Sequence, residues 1–188
     1  VVTYAADANA TAGTKASITY RVTDAVGQTD TGVLTPVIAP PPVAANDTST
    51  GNWDTNQAIP VLSNDDPGAV SAPLVPSTVK LCGDGQSPNG CNVTTLVVLN
   101  QGTYTVQPDG NVLFDPLPTF TGTATAVRYQ VQDSLGQVAT ATITPTVRVA
   151  PNAVDDVSSA NYDTNQVINP LTNDVNGTGT IDPTTVKL

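Results

Sequence analysis

The sequence predicts an all-β fold of tandem β-sandwich repeats with a period of about 109 residues, and three observations carry that prediction. The first is the period. Val127-Arg-Tyr-Gln-Val-Gln-Asp133, followed by Ser-Leu-Gly-Gln137, has an earlier copy in Ile18-Thr-Tyr-Arg-Val-Thr-Asp24 with Ala-Val-Gly-Gln28. Tyr129 stands 109 positions after Tyr20, and the same spacing takes Pro42-Val-Ala-Ala-Asn-Asp47 and Trp53-Asp-Thr-Asn-Gln57 to Pro151-Asn-Ala-Val-Asp-Asp156 and Tyr162-Asp-Thr-Asn-Gln166. A fixed spacing of this kind marks a repeat array. The second is composition: all sixteen acidic residues are Asp, Met and His are missing, and Thr and Val are abundant. Helix formers are scarce and strand formers plentiful. The third is the repeated alternation of apolar and polar residues over short runs bounded by Gly, Pro, Asn and Asp.

The period divides the 188 residues into three parts. Residues 1–41 read as the C-terminal part of one repeat, 42–150 as a complete β-sandwich repeat, and 151–188 as the N-terminal part of the next. The last part stops at Thr-Val-Lys-Leu188, which matches Thr78-Val-Lys-Leu81. Both ends cut through a repeat, so the expectation is a longer parent chain.

In the first part Ile18, Tyr20 and Val22 alternate with Thr19, Arg21 and Thr23, the pattern of a half-buried strand. Asp24-Ala-Val-Gly27 is a tight connection, and Thr29 to Ile38 returns as the closing strand. Ala39-Pro-Pro-Pro42 is a short stiff boundary, because proline fixes φ and offers no donor to a ladder. The complete repeat opens with a strand over 43–50 and a second over 57–62, which Pro60 assigns to an edge. Ser63-Asn-Asp-Asp-Pro-Gly68 is a turn by composition. Strands follow over 74–81 and 93–99. A hairpin joins 102–106 to 111–115 through Pro108-Asp-Gly110. A long strand over 125–133 and a closing strand over 138–149 complete the set, with Ala139, Ala141, Ile143 and Val147 on one face. Seven to nine short strands in such a length indicate a β-sandwich large enough for its own core, with Tyr104, Phe114, Phe120 and Tyr129 as the large members.

Cys82 and Cys91 enclose a loop without an apolar residue. A disulfide between them would restrict the unfolded chain by roughly 2–3 kcal/mol on the loop-entropy model. It would place the protein in an oxidising, extracellular setting; two free thiols are the alternative. Two Cys without His make neither the usual zinc site nor a CxxC redox pair. The net charge of −10 disfavours nucleic-acid partners and anionic membranes. No apolar run is long enough to insert in a bilayer.

Gly102-Thr-Tyr-Thr-Val-Gln-Pro-Asp-Gly-Asn-Val-Leu-Phe-Asp-Pro116, Phe120-Thr-Gly122, Tyr129-Gln-Val-Gln-Asp133, Gly136-Gln137 and Thr78-Val-Lys-Leu-Cys82 together resemble the CshA-type fibril repeat of bacterial surface adhesins. Pro42–Leu62 is also similar to cadherin-like repeats of other large bacterial adhesins. Residues 1–13 depart most, with Ala10-Thr-Ala-Gly13 where Phe120-Thr-Gly122 would sit. The resemblance implies Ig-like or cadherin-like sandwiches in a row. It also implies a cell-surface location, neighbouring repeats and other copies of the chain as partners, and a stalk role with no catalytic residue.

The residues agree that this is no enzyme. Without His, Ser/His/Asp and Cys/His arrangements cannot form in the chain. Calcium is the one cofactor the sequence raises. Asp47, Asp65 and Asp66 could meet near a repeat junction, and Asp156 and Asp174 are copies of the first two. Hard cations take such oxygens and would stiffen a row of units. The dense Asp ladder of an EF-hand-type loop is missing, and the plain alternative is that Asn46, Asp47, Asn64 and Asp65 cap turns. Lys80 and its copy Lys187 raise an intradomain amide, against the simpler reading of a solvent-facing lysine. Trp53 and Tyr162 share a position suited to packing against a neighbouring repeat or to stacking on sugar. Two functional expectations follow: a semi-rigid extracellular spacer, or a binding module that recruits a partner protein, a glycan or another copy through an exposed edge strand.

Overall fold

The computed structural model describes residues 1–7, 9–83 and 90–188; the interior of the Cys82–Cys91 loop lies outside the described residues. The fold is all β. The strands are β1 (Gly13–Thr14), β2 (Ile18–Thr23), β3 (Thr29–Leu34), β4 (Val37–Ile38), β5 (Asp47–Gly51), β6 (Gln57–Ile59) and β7 (Leu74–Cys82). They continue with β8 (Cys91–Val93), β9 (Thr95–Val98), β10 (Gly102–Val106), β11 (Val112–Pro116), β12 (Gly122–Thr123), β13 (Val127–Asp133) and β14 (Val138–Val147). A 3-10 turn lies at Pro183–Thr185. No helix is long and apolar enough to cross a membrane.

Two sheets face each other in the central part. One has the order β6-β11-β10-β9. The other runs β12-β14-β13-β7-β8, with β5 pairing β14 in parallel, Asp47 opposite Ile143 and Gly51 opposite Val147. The alternation read from the sequence decides which face is inside. Tyr129 and Val131 of β13, Ile143 and Val147 of β14, Val79 and Leu81 of β7, and Tyr104, Val112 and Phe114 of the facing sheet are fully or almost fully buried. Tyr104 and Phe114 stack with centroids 4.6 Å apart, and Phe120 meets Phe114 edge-on at 6.5 Å. Apolar area of this kind stabilises by about 25 cal/mol per Å² buried, which makes this layer the main source of folding free energy.

The repeated Asp-x-x-Gly-Gln turn has a local cause. Asp133 Oδ1 accepts from the Leu135 and Gln137 backbone N–H groups, and Oδ2 accepts from the Gln137 side chain. Gly136 supplies the positive φ, +80°, that closes the turn. Asp24 accepts from Val26 and Gln28 in the same way, with Gly27 at +88°.

The structure differs from the sequence reading in several places: the closing strand expected over 29–38 is β3, paired with β2, and β4, paired with β1, and the strand expected over 43–50 begins at Asp47. The single strand expected over 93–99 is two strands in different sheets. β8 pairs β7, the chain breaks at Thr94, and β9 pairs β10; Leu99 lies in the turn with Asn100 at φ +62°. A period-2 pattern is blind to such a change of sheet, since both pieces keep their alternation. The strand at Ile18–Thr23 forms and pairs β3, but Ile18, Tyr20 and Val22 stay about half exposed, because no second sheet among the described residues lies over them. The β13/β7 ladder also carries a bulge between Gln130 and Gln132, where the Thr78 hydroxyl accepts from Gln132 N–H in place of a backbone carbonyl.

Cys82 and Cys91 are joined in a disulfide that clips β7 to β8. Reducing it should lower the unfolding free energy by roughly 2–3 kcal/mol, read as a lower midpoint in urea with and without reductant. Tyr104 is wholly buried and its hydroxyl has no hydrogen-bond partner. Tyr104→Phe should therefore leave stability unchanged or raise it by about 1 kcal/mol in the same titration.

Candidate functional site

With no His and no gathering of three or more potential metal ligands among the described residues, the site worth building is the joint where the proline linker meets the turn over 63–68. It starts at the proline linker. Val43 and Asp66 exchange both backbone hydrogen bonds, at 2.8 and 2.9 Å, so the chain leaving Pro42 is pinned to the turn over 63–68. Gly68, at φ +76°, lies under the linker: a Cβ there would come within 2.2 Å of the Pro41 carbonyl oxygen and 2.7 Å of the Pro40 one. Only glycine permits that approach. Asp66 Oδ1 accepts from Gly68 N–H and holds the turn.

The same joint is built again 109 positions on. Asn152 and Val175 exchange backbone hydrogen bonds at 3.0 and 2.9 Å, and a Cβ on Gly177 would come within 2.2 Å of the Val149 carbonyl oxygen. Thr178 adds two bonds to Val149, one from its N–H and one through its hydroxyl. Beside this second joint lies an open cleft of about 480 Å³ whose lining includes Trp53, Asn52, Arg148 and Ile181. Trp53 donates its indole N–H to Pro118 O at 2.8 Å, whereas Tyr162, its copy, is fully exposed.

Behind the joint is a buried polar cluster. The Ala45 N–H donates to Asp65 Oδ1 at 2.8 Å. The Tyr129 hydroxyl, from the core strand β13, lies 2.9 Å from Val61 O, 3.0 Å from Asp65 Oδ2 and 3.3 Å from Ala45 O, and has one proton to donate within this ring of oxygens. Asp47 sits beside it, 6 % exposed, with Oδ2 making no hydrogen bond. Burial pushes the Asp47 carboxyl up to about 6; the nearby Tyr129 hydroxyl pulls the other way and the Asp65 charge adds to the rise. Burial raises Asp65 as well, and raises Tyr129 far above the ordinary phenol range.

Of the acidic residues singled out in the sequence, then, Asp47 and Asp65 come together, while Asp66 faces the turn and binds Gly68 N–H. Asp174 takes Val154 N–H at 2.8 Å, as Asp65 takes Ala45, and Asp156 is exposed. Asn46 and Asn64 make long-range bonds in place of local turn caps: Asn46 Oδ1 accepts from Thr142 N–H and Asn64 Nδ2 donates to Asn46 O. Lys80 stands opposite Gln130 in the sheet, half-buried, and Lys187 is exposed. Sequence reasoning missed Gly68 and the hydroxyl of Tyr129. The first carried a signal, since Gly177 repeats it at the full period. The second did not, because Tyr129 read only as a core aromatic.

The sequence pattern of the surface adhesin CshA repetitive domain matches residues 39–147, from the linker to the last residue of β14. The chain belongs to that family. The CshA repeat match thus covers both sheets and the linker that enters them. A comparison with curated proteins found no match. Among solved structures, the chain is similar to the N-terminal eight Ig domains of Down syndrome cell adhesion molecule, isoform 1.30.30, at 10 % identity and a TM-score of 0.38. That similarity covers 77 % of this chain and 16 % of the other.

Two measurements check the cluster. A carboxyl whose folded-state pKa is raised is favoured in its protonated form, so its contribution is complete below about pH 4 and is lost as pH rises through about 6. Unfolding free energy should therefore fall by about 1–3 kcal/mol between those limits and level off above, and Asp47→Asn should flatten that profile. Tyr129→Phe leaves Asp65 without its hydroxyl donor and should cost about 1–3 kcal/mol in urea titration at pH 7, the opposite sign to Tyr104→Phe.

Proposed function

We propose that this chain is a segment of a cell-surface spacer, in which β-sandwich repeats stand head to tail and hold a distal region away from the cell. The units are 1–41, 42–150 and 151–188, the outer two as parts of repeats. The observation that carries the reading is the joint: the paired backbone bonds and the linker-covered glycine occur at Gly68 and again at Gly177. A binding surface needs no such repetition. A spacer does, because its reach depends on each unit being held in one orientation to the next. Membership in a surface adhesin repeat family supports the location and the array.

Asp47 and Asp65 support a second reading, in which a hard cation stiffens the joint. Their carboxylates and the carbonyls of Ala45 and Val61 all lie around one hydroxyl, and they are the oxygen types that calcium takes. A chelator separates the two readings: an unchanged melting temperature with and without it leaves the joint to backbone and glycine alone.

Small-angle scattering tests the spacer. The chain should give an elongated particle with a narrow spread of lengths. Gly68→Ala and Gly177→Ala together, which force a Cβ into backbone at both positions and add a strained φ at Gly68, should broaden that spread while β13 and β14 keep their structure. A single compact globule in solution would overturn the proposal.

A further inference from the structure

We propose that β9 is a self-association edge: it pairs antiparallel with β9 of a second copy of this chain and extends the four-stranded sheet across two molecules. The other long margin of the sandwich is bridged by a side chain. There β5 and β6 face each other, and Gln57 ties β6 to β5 and β14, its Oε1 accepting from the Ser49 hydroxyl and its Nε2 donating to Thr146 O. β6 is only three residues long and stops at Pro60; β8 is equally short and tied by the disulfide; β12 has two residues. Shortness, proline and covalent ties are the usual protections against edge-to-edge pairing. β9 has neither proline nor covalent tie, and at four residues it is longer than β6, β8 and β12. It runs Thr95-Leu-Val-Val98 at the end of its sheet, without proline.

The register shows which groups are free. Val106 N–H donates to Thr94 O, so the hydrogen-bonded partners across β9/β10 are Leu96 with Tyr104 and Val98 with Gly102. Thr95 and Val97 then turn their N–H and C=O groups outward, away from β10. Val97 is 70 % exposed and Leu99, just beyond the strand, 82 %. An outward backbone ladder flanked by uncovered aliphatic groups is the template for an added strand.

Charge selects a second copy as the occupant. The chain carries a net −10, so copies repel each other over most of their surface. Residues 90–108, which include β9 and β10, contain no charged side chain. Two identical neutral edges related by a two-fold axis can meet with the acidic surfaces turned away, and antiparallel pairing of a strand with its own copy satisfies that symmetry. One such contact is weak. Its strength along a fibre rests on the proposed row of repeats, which would present many edges at once; the single contact does not depend on that reading.

Sedimentation of the 188-residue protein from micromolar to millimolar concentration tests the pairing, independently of the scattering that tests the row. The wild type should move from monomer toward dimer mass as concentration rises. It should do so more readily at high salt, which screens the repulsion between copies. Val97→Lys and Thr95→Lys, both exposed positions, should stay at monomer mass over the same range with unfolding midpoints near wild type. Val70→Lys, on an exposed turn away from the edge, should behave as wild type. A wild type that stays monomeric throughout overturns the proposal, as does undiminished association of both β9 variants. So does an edge that takes up an added extended peptide while the protein alone remains monomeric.

Discussion

The hydroxyl of Tyr129 is the point on which the joint depends. Its ring is fixed in the core between the sheets, and its oxygen meets Val61, Asp65 and Ala45 where the chain first enters the sandwich. Asp65 holds Ala45, Asp66 holds Val43 through the backbone, and Gly68 receives the linker. The position of the linker is therefore set, bond by bond, from a side chain in the centre of the repeat. Burying one hydroxyl among several acceptors costs desolvation, and the core offsets that cost because the ring beneath it is fully enclosed.

This arrangement explains why an acidic chain places carboxyls in a dry place. Asp47 and Asp65 cannot both carry full charge there at little cost, and burial favours a proton on Asp47. The other conspicuous carboxylate, Asp133, is equally buried, but it accepts from two backbone amides and one side-chain amide. The two sites use the same residue type for different ends: Asp133 closes a local turn, and Asp47 sits in the long-range cluster that positions the joint.

Much of the fold was legible because its causes are local. The turn at Asp133 needs only five residues, and its copy at Asp24 made the period visible. The inward faces of β13 and β14 followed from alternation, the disulfide from a loop with nothing else to hold it, and the joint's location from the run of prolines. What was not legible depends on distant partners. Tyr129 reaches Asp65 across 64 positions and Ala45 across 84, and no spacing rule announces a hydroxyl contact of that range. The change of sheet at Thr94 was hidden because alternation continues through it. Of the acidic candidates, Asp47 and Asp65 lie together, while Asp66 is taken by its own turn.

One further consequence follows from the pairing of β5 with β14. These are the first and last strands of the repeat, and they lie side by side in the same direction, Asp47 to Gly51 against Ile143 to Val147, with Arg148 N–H bonding Gly51 O at the far end. A tug on the two linkers pulls the start of one strand and the finish of its neighbour in opposite senses along their common axis. The hydrogen bonds between them are loaded together, in shear, and cannot be peeled open one at a time. The repeat thus resists a pull between its two ends with all of these bonds at once.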